Sequence, residues 1–354
     1  MVTPSDPRRA ADAGPARGAR VVVTGAAGTL GSVLLERLAA PGVGVEVVAV
    51  DRRSGSGPTG ERLRLDVLRD DLGAAFAGAT TVVHLAASPD CSPDDPVGRA
   101  AVEGTRRVLA AAAAAGVARI VRPSATAVYG AWANNPEVIG EDAPLRPNPG
   151  FGPAGADAEC ERLLAAWARD RVGRIADRLR LAPVLGGARH SALANAALGR
   201  VPVHVRGAAP VVQVLHVDDA ASALAAAALG ALPDLVNVAA PGVVAPVRSG
   251  GARVAGCSVA AATRALDACW SSGRFGASGA VVPYLVHPFV VDTTRLAAAG
   301  VAPAVAAGAA VAAAGDQPVR LGDAARAAAA VLGAERGRLR RRSRAGAPSR
   351  PIGA

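Results

Sequence analysis

The run Val21-Val22-Val23-Thr24-Gly25-Ala26-Ala27-Gly28-Thr29-Leu30-Gly31 carries an apolar strand into a helix through three glycines spaced three apart. That spacing constrains the fold more than any other feature of the chain. The first glycine permits a tight turn, and the second lets the backbone come close to a phosphate. The third lets helix pack on strand while the amides of the helix start face the anion. The unit is a pocket for a dinucleotide pyrophosphate, with Gly25, Ala27, Gly28, Thr29, Leu30 and Gly31 around it. Asp51 closes the next apolar run, twenty residues after Gly31. A carboxylate there accepts hydrogen bonds from the adenosine ribose, which favours NAD. Arg52 and Arg53 follow directly and suit a 2′-phosphate, so NADP stays open.

From Arg20 to about Val121, apolar runs that suit strands alternate with helical stretches. Strands are expected at Val21–Thr24, Val45–Val50, Arg62–Leu65, Thr81–Leu85 and Ala118–Val121, with helices over Leu30–Ala39 and Arg99–Ala115. Continuous apolar strands separated by helices make a parallel sheet covered on both faces. A loop rich in Pro, Asn and Gly spans Asn134 to Pro153, and a helix follows from about Ala154 to Asp170. Further strands are expected near Arg178–Leu181, Val211–Val217 and Leu235–Val238, with a helix over Asp219–Leu229. The expected fold is α/β, a doubly wound parallel sheet of Rossmann type. Residues 20–180 form the cofactor domain, and 181–333 form a smaller C-terminal substrate-binding portion with interleaved Rossmann segments.

Apolar residues make up 51% of the 354-residue chain but aromatics only 3%, so the core must be built from Ala, Val and Leu. There is no lysine: all 39 residues counted as Lys+Arg are arginine, and a catalytic lysine is impossible. The net charge of +10 gathers at the ends, with seven arginines against Glu335 in 335–354 and four arginines against two aspartates in 1–20. Both ends are rich in Pro, Gly, Ala and Ser and read as disordered tails, 1–19 and 334–354. The body then offers no basic groove, and nucleic acid is not expected as a partner. Cys91, Cys160, Cys257 and Cys269 form no CxxC pair and read as reduced structural thiols. No segment has signal-peptide character or an unbroken membrane-spanning length, so a cytoplasmic location without membrane contact is expected.

Several further motifs fall in a fixed order. They are Asp66-Val67 after a strand, Val82-Val83-His84-Leu85-Ala86-Ala87, Gly104-Thr105, Ser124-Ala125-Thr126-Ala127-Val128-Tyr129-Gly130, His216-Val217-Asp218-Asp219-Ala220, and Asp292-Thr293-Thr294-Arg295-Leu296. With the glycine turn they resemble the extended short-chain dehydrogenase/reductases, in particular the NAD-dependent epimerase/dehydratase family, over roughly residues 20 to 330. The resemblance implies an NAD or NADP cofactor, a hydroxylated small-molecule substrate such as a sugar nucleotide, and a homodimer. It also implies that Asp66 and Val67 lie by the adenine, Leu85, Ala86 and Ala87 along the cofactor, and Ser124 on the nicotinamide side.

The family's proton exchange uses a tyrosine and a lysine four residues later, the ammonium lowering the phenol's pKa. Two registers fit here. One places Pro153 and Asp157 at those positions, the other Phe151 and Gly155, and neither has a phenol or an ammonium group. The active-site hydroxyl position is Ala125, flanked by Ser124 and Thr126, whose side chains point away from its face in an extended strand. Ser124 is the candidate catalytic hydroxyl. Ala101 stands for the family asparagine, and Val212 for an arginine that binds a nucleotide-sugar diphosphate. Tyr129 and Tyr284 lack a partner of the needed kind, and Arg162 has the wrong geometry to replace the lysine. His84 reads as a packed strand histidine. His216, Asp218 and Asp219 read as a strand-to-helix junction in which an aspartate caps the helix, and no metal site is expected. The expectation is a cofactor-binding oxidoreductase or isomerase with impaired chemistry; the alternative is a non-catalytic NAD(P)-binding regulator or scaffold.

Overall fold

A computed structural model describes residues 18–315 and 328–333, apart from 56, 59, 88–90, 96–97, 188–189 and 246–255. The expected tails fall outside the described residues, except Gly18 and Ala19.

In chain order the first half comprises β1 (Arg20–Thr24), α1 (Thr29–Leu38), β2 (Glu46–Asp51), β3 (Glu61–Arg64), α2 (Gly73–Phe76), β4 (Thr81–His84), α3 (Arg99–Ala114) and β5 (Arg119–Ala125). There follow α4 (Gly152–Arg169), β6 (Ile175–Leu181), β7 (Val184–Leu185), α5 (Ala192–Ala197), β8 (His204–Val205), β9 (Leu215–His216), α6 (Val217–Ala228) and β10 (Leu235–Val238). The last elements are β11 (Gly256–Cys257), α7 (Val259–Ser271), α8 (Thr294–Ala298) and α9 (Ala307–Gly315).

Seven strands form one sheet in the order β10-β6-β5-β4-β1-β2-β3, every neighbouring pair parallel. The order reverses direction between β1 and β4. In such sheets a ligand crevice opens at the carboxyl ends of the strands at that switch. Alternating residues divide the apolar runs between two layers. Val22, Val48, Val82 and Ile120 pack with Val108 of α3 and with Leu164 and Trp167 of α4. Val21, Val23, Val47, Val83 and Val121 pack with Leu34 and Leu35 of α1 and Leu224 of α6.

Two expected strands differ in extent. β5 runs on past Val121 to Ala125, because β6 continues beside it after β4 has ended. The strand expected over Val211–Val217 shrinks to the two residues of β9 and an isolated bridge from Val212 to Val244. Its backbone has no single neighbour: Val212 pairs with Val244, while the Gln213 side chain bonds the backbone of Val291 through both amide atoms, at 2.7 and 3.1 Å.

A buried ion pair ties the sheet to α4. The Arg180 guanidinium on β6 donates to the Glu161 carboxylate at 2.7 Å, to the Tyr129 hydroxyl at 2.6 Å and to the Glu141 carbonyl at 2.9 Å. Tyr129 donates in turn to Asn237 Oδ1 on β10 at 2.8 Å, and the Asn237 amide N–H donates to the Glu141 carboxylate at 3.0 Å. Arg180 and Glu161 side chains are only 4% and 3% exposed, so neither charge has water to fall back on. Replacing Arg180 alone by methionine is expected to lower stability by about 3–5 kcal/mol, the cost of a buried charge left unpaired. Urea unfolding followed by tryptophan fluorescence reads this, and a midpoint equal to the wild type's would refute it.

Candidate functional site

The glycine turn leaves β1 and enters α1, whose first-turn amides carry no side-chain cap. Gly28 is the N-cap and contributes none, and the first turn of α1 holds no acidic residue. Its amides are therefore available to an anion. A Cβ on Gly28 would meet only the Gly25 carbonyl oxygen, so the space above it is otherwise open. Gly25 has φ +73°, and a Cβ there would lie 2.5 Å from the carbonyl carbon of Leu85. The turn and the segment after β4 thus pass too close for any residue but glycine. The Leu85 N–H donates to the Thr24 carbonyl at 3.0 Å, which sets Leu85, Ala86 and Ala87 beside the turn.

Asp51 lies at the carboxyl end of β2. Its Oδ2 accepts from the Ala27 N–H at 3.0 Å and its Oδ1 from the Arg53 N–H at 2.9 Å. Arg52 is exposed, and its carbonyl accepts from Arg64 Nε at 3.2 Å. The Leu65 N–H donates to the Asp51 carbonyl at 3.1 Å, which brings Asp66 and Val67 next to Asp51. Asp66 Oδ1 holds the Leu68 N–H at 2.9 Å, and the Val67 carbonyl accepts from Arg107 Nε at 2.9 Å. Ala27, Ser32, Ser54 and Gly55 line an open hollow beside the turn. Every residue assigned to the cofactor from sequence therefore lies along one edge, at the carboxyl ends of β1 to β4. The edge fits a dinucleotide: open amides for the diphosphate, and a carboxylate one strand away for a ribose.

The proton-exchange region is different. Asp157 turns toward β5, where its Oδ1 accepts from Arg122 Nη1 at 2.9 Å. Arg122 is 4% exposed and Asp157 22%. Burial pushes the Asp157 carboxyl above its ordinary value, and the Arg122 charge opposes that rise. Gly155 faces open space, and Phe151 is buried against Tyr284 with ring centroids 4.9 Å apart. Ser124 shares the β5 face of Arg122 and lies in register with Arg180. It is buried, and its Oγ has no hydrogen-bond partner. Ala125, on the opposite face, packs against the α1 and α6 layer.

Both tyrosines are spoken for. Tyr129 accepts a hydrogen bond from the Arg180 guanidinium, yet burial raises its pKa. Tyr284 donates to the Ala127 carbonyl at 2.9 Å, and burial raises its pKa too. Arg162 is exposed and pairs with Glu159. The cap of α6 is His216, whose Nδ1 accepts the Asp218 N–H at 3.3 Å, rather than an aspartate. Asp218 pairs with Arg37, and Asp219 accepts the amides of Ala304 and Val305 at 2.8 and 3.0 Å. Among the described residues no His, Cys, Asp and Glu group clusters as a metal site, and no helix is long and apolar enough to cross a membrane.

Arg122 and Arg180 are the residues that sequence reasoning missed. A signal was present: each interrupts an apolar strand, and Asp157 and Glu161 stand one helical turn apart on α4, facing them.

A profile of the NAD dependent epimerase/dehydratase family matches residues 21–239. The chain belongs to that family. Its cofactor is accordingly a nicotinamide dinucleotide. A Streptomyces protein described as 3-diazoavenalumate denitrifying reductase is 36% identical over 217 residues, which cover 57% of this chain and 69% of that protein. The solved structure of MoeE5 in complex with UDP-glucose and NAD is 26% identical, with a TM-score of 0.61, covering 83% of this chain and 97% of that one. The Thermus thermophilus UDP-glucose 4-epimerase complex with NAD is 25% identical with a TM-score of 0.61, covering 84% of this chain and 98% of that one.

His84 closes β4 under this edge. Its Nδ1 and Thr24 Oγ1 hydrogen bond at 2.8 Å, while Nε2 has no partner. Burial, aided by the Arg122 charge, lowers its pKa to about 3. The unfolded chain takes up that proton near pH 6.5, so stability that is full above 6.5 is lost as pH falls toward 3. The slope from this group is about 1.4 kcal/mol per pH unit. Stability measured against pH for wild type and His84→Gln should diverge below pH 6.5, the variant being flatter; parallel curves would refute the assignment.

Proposed function

We propose that this protein is an NAD(P)-dependent oxidoreductase-type enzyme of the family whose hydride-transfer site is retained and whose tyrosine–lysine proton relay is lost. The observation that carries the reading is the Arg122–Asp157 ion pair. Asp157 is the α4 residue turned toward β5, where one of the two registers expects the family's lysine. The alternative register puts Gly155 there, and Gly155 faces away. Without a low-pKa phenol, oxidation of an alcohol has no proton acceptor of the family's kind.

The bound nucleotide supplies or takes hydride; the chain's residues bind and orient it. In this reading Gly25, Ala27, Gly28, Thr29, Leu30 and Gly31 hold the diphosphate and Asp51 the ribose, with Arg52 beside it. Asp66 and Val67 flank the adenine, Leu85, Ala86 and Ala87 run along the dinucleotide, and Ser124 is the hydroxyl nearest the reaction. Residues 20–180 act as the cofactor domain and 181–333 as the substrate portion, in a cytoplasmic homodimer.

The substrate is a small molecule. The titles of the solved neighbours point to UDP-sugars, whereas Val212, where the resemblance expects an arginine for the diphosphate, is buried and engaged with Val244. The Streptomyces relative's name points instead to a reductase. Carbonyl reduction asks less of a cleft without a phenolate than sugar epimerisation does, since it takes up one proton whereas epimerisation needs a proton removed and then returned.

Calorimetry with NAD, NADH, NADP and NADPH tests the site without a substrate. Binding is expected for the wild type and abolished in Gly28→Asp, which sets bulk and negative charge against the diphosphate. UDP-glucose epimerisation is expected at least ~100-fold below that of a family member with the intact pair. Unchanged binding by the variant, or brisk epimerisation, would overturn the reading. Binding without turnover of any acceptor, joined to altered partner affinity, would mark a regulator instead.

A further inference from the structure

We propose that the cofactor edge selects the dinucleotide that carries a phosphate on its adenosine 2′-oxygen, NADP(H) over NAD(H), and that Arg62 on β3 holds this phosphate together with Arg52 and Arg53. The inference deepens the reading above and rests on its cofactor site.

The carboxylate that would favour an unmodified ribose is already engaged inside the protein. Asp51 Oδ2 accepts from the Ala27 N–H at 3.0 Å and Oδ1 from the Arg53 N–H at 2.9 Å, with Arg53 Nε 3.6 Å away. Its side chain is only 10% exposed, whereas that of Arg53 is 62% exposed. A carboxylate held by two amides and a guanidinium repels a nearby phosphate less than a bare one does.

A third arginine reaches the same place from another strand. The hollow beside the turn is lined by Ala27, Ser32, Ser54 and Gly55, none of them acidic. Gly55 lies between the turn and Arg62: a Cβ on Gly55 would sit 3.0 Å from Ala27 Cβ and 3.2 Å from Arg62 Nη1. Arg62 Nη2 donates to the Gly57 carbonyl at 2.6 Å, which holds the head group in place, and Nη1 has no hydrogen bond among the described residues. Arg64 Nε donates to the Arg52 carbonyl at 3.2 Å and so ties the segment bearing Arg52 and Arg53 to β3. The parallel register sets this arrangement, with Ala49 opposite Arg62 and Asp51 opposite Arg64.

A phosphate monoester brings about two negative charges and three acceptor oxygens. A single exposed arginine holds such a group weakly, but a planar fork fixed beside two further guanidinium groups holds it well. A 2′-hydroxyl gains nothing from that charge. The open amides of α1 serve both dinucleotides alike, so the discrimination falls to this rim.

Calorimetry on the whole chain tests the proposal without turnover. NADPH is expected to bind roughly tenfold more tightly than NADH, and the preference should narrow as salt is added, because the arginines are exposed. Adenosine 2′,5′-bisphosphate should bind more tightly than 5′-AMP and than adenosine 3′,5′-bisphosphate, again by roughly tenfold. Arg62→Ala should remove most of the preference and leave NADH affinity within about twofold, while Arg62→Lys should keep part of it. NADH binding as tight as NADPH, or a 3′-phosphate bound as well as a 2′-phosphate, overturns this inference and leaves the cofactor reading standing. An undiminished NADPH preference in Arg62→Ala overturns the role given to Arg62. Failure to bind any nicotinamide nucleotide overturns the reading beneath it as well.

Discussion

Two buried arginine–carboxylate pairs between α4 and the sheet organise the middle of this molecule. Arg180 meets Glu161 and Arg122 meets Asp157, so two carboxylates one helical turn apart are matched by arginines on adjacent strands. A charge taken out of water is costly unless its partner is held in good geometry. The pairs therefore fix the rotation and height of α4 against β5 and β6. That placement decides which α4 side chains turn toward the sheet, Asp157 toward β5 and Glu161 toward β6.

The cofactor edge depends on a different constraint, the close approach of backbones. Gly25 and the Leu85–Ala86 peptide come together at a distance no Cβ allows, and Gly28 leaves the first turn of α1 open. The two constraints are nearly independent. The glycine turn is a local feature of one strand and one helix, whereas the ion pairs bridge residues far apart in the chain. A family member can keep the first intact while the second is rebuilt with other charges, and this chain has that character.

Much of the architecture was legible in the order of residues. The apolar runs around Val22, Val48, Val82 and Ile120 have the continuity of strands buried on both faces, and they form the sheet where expected. Asp51, Asp66 and Leu85 follow their strands at the spacing a dinucleotide edge demands, and the structure lines them up. The stretch around Val212 was harder, because an apolar run does not reveal that its hydrogen bonds are shared among Val244, Val291 and β7. The helix cap at His216 was also misassigned to an aspartate: both Asp218 and Asp219 have better partners elsewhere, and only packing shows this. Tyr129 gained a cation that lies 51 residues away in sequence.

Residue order alone determined the strand–turn–helix pocket, the alternation that builds a parallel sheet, and the absence of any tyrosine–lysine pair, because each is a matter of local spacing or of simple presence. Tertiary structure decided what Asp157 pairs with, that both tyrosine hydroxyls are tied down, and which serine hydroxyl is left without a partner. Those outcomes depend on the rotation of α4 and on strand register. Both are set by contacts between segments far apart in the chain, and no local pattern encodes them.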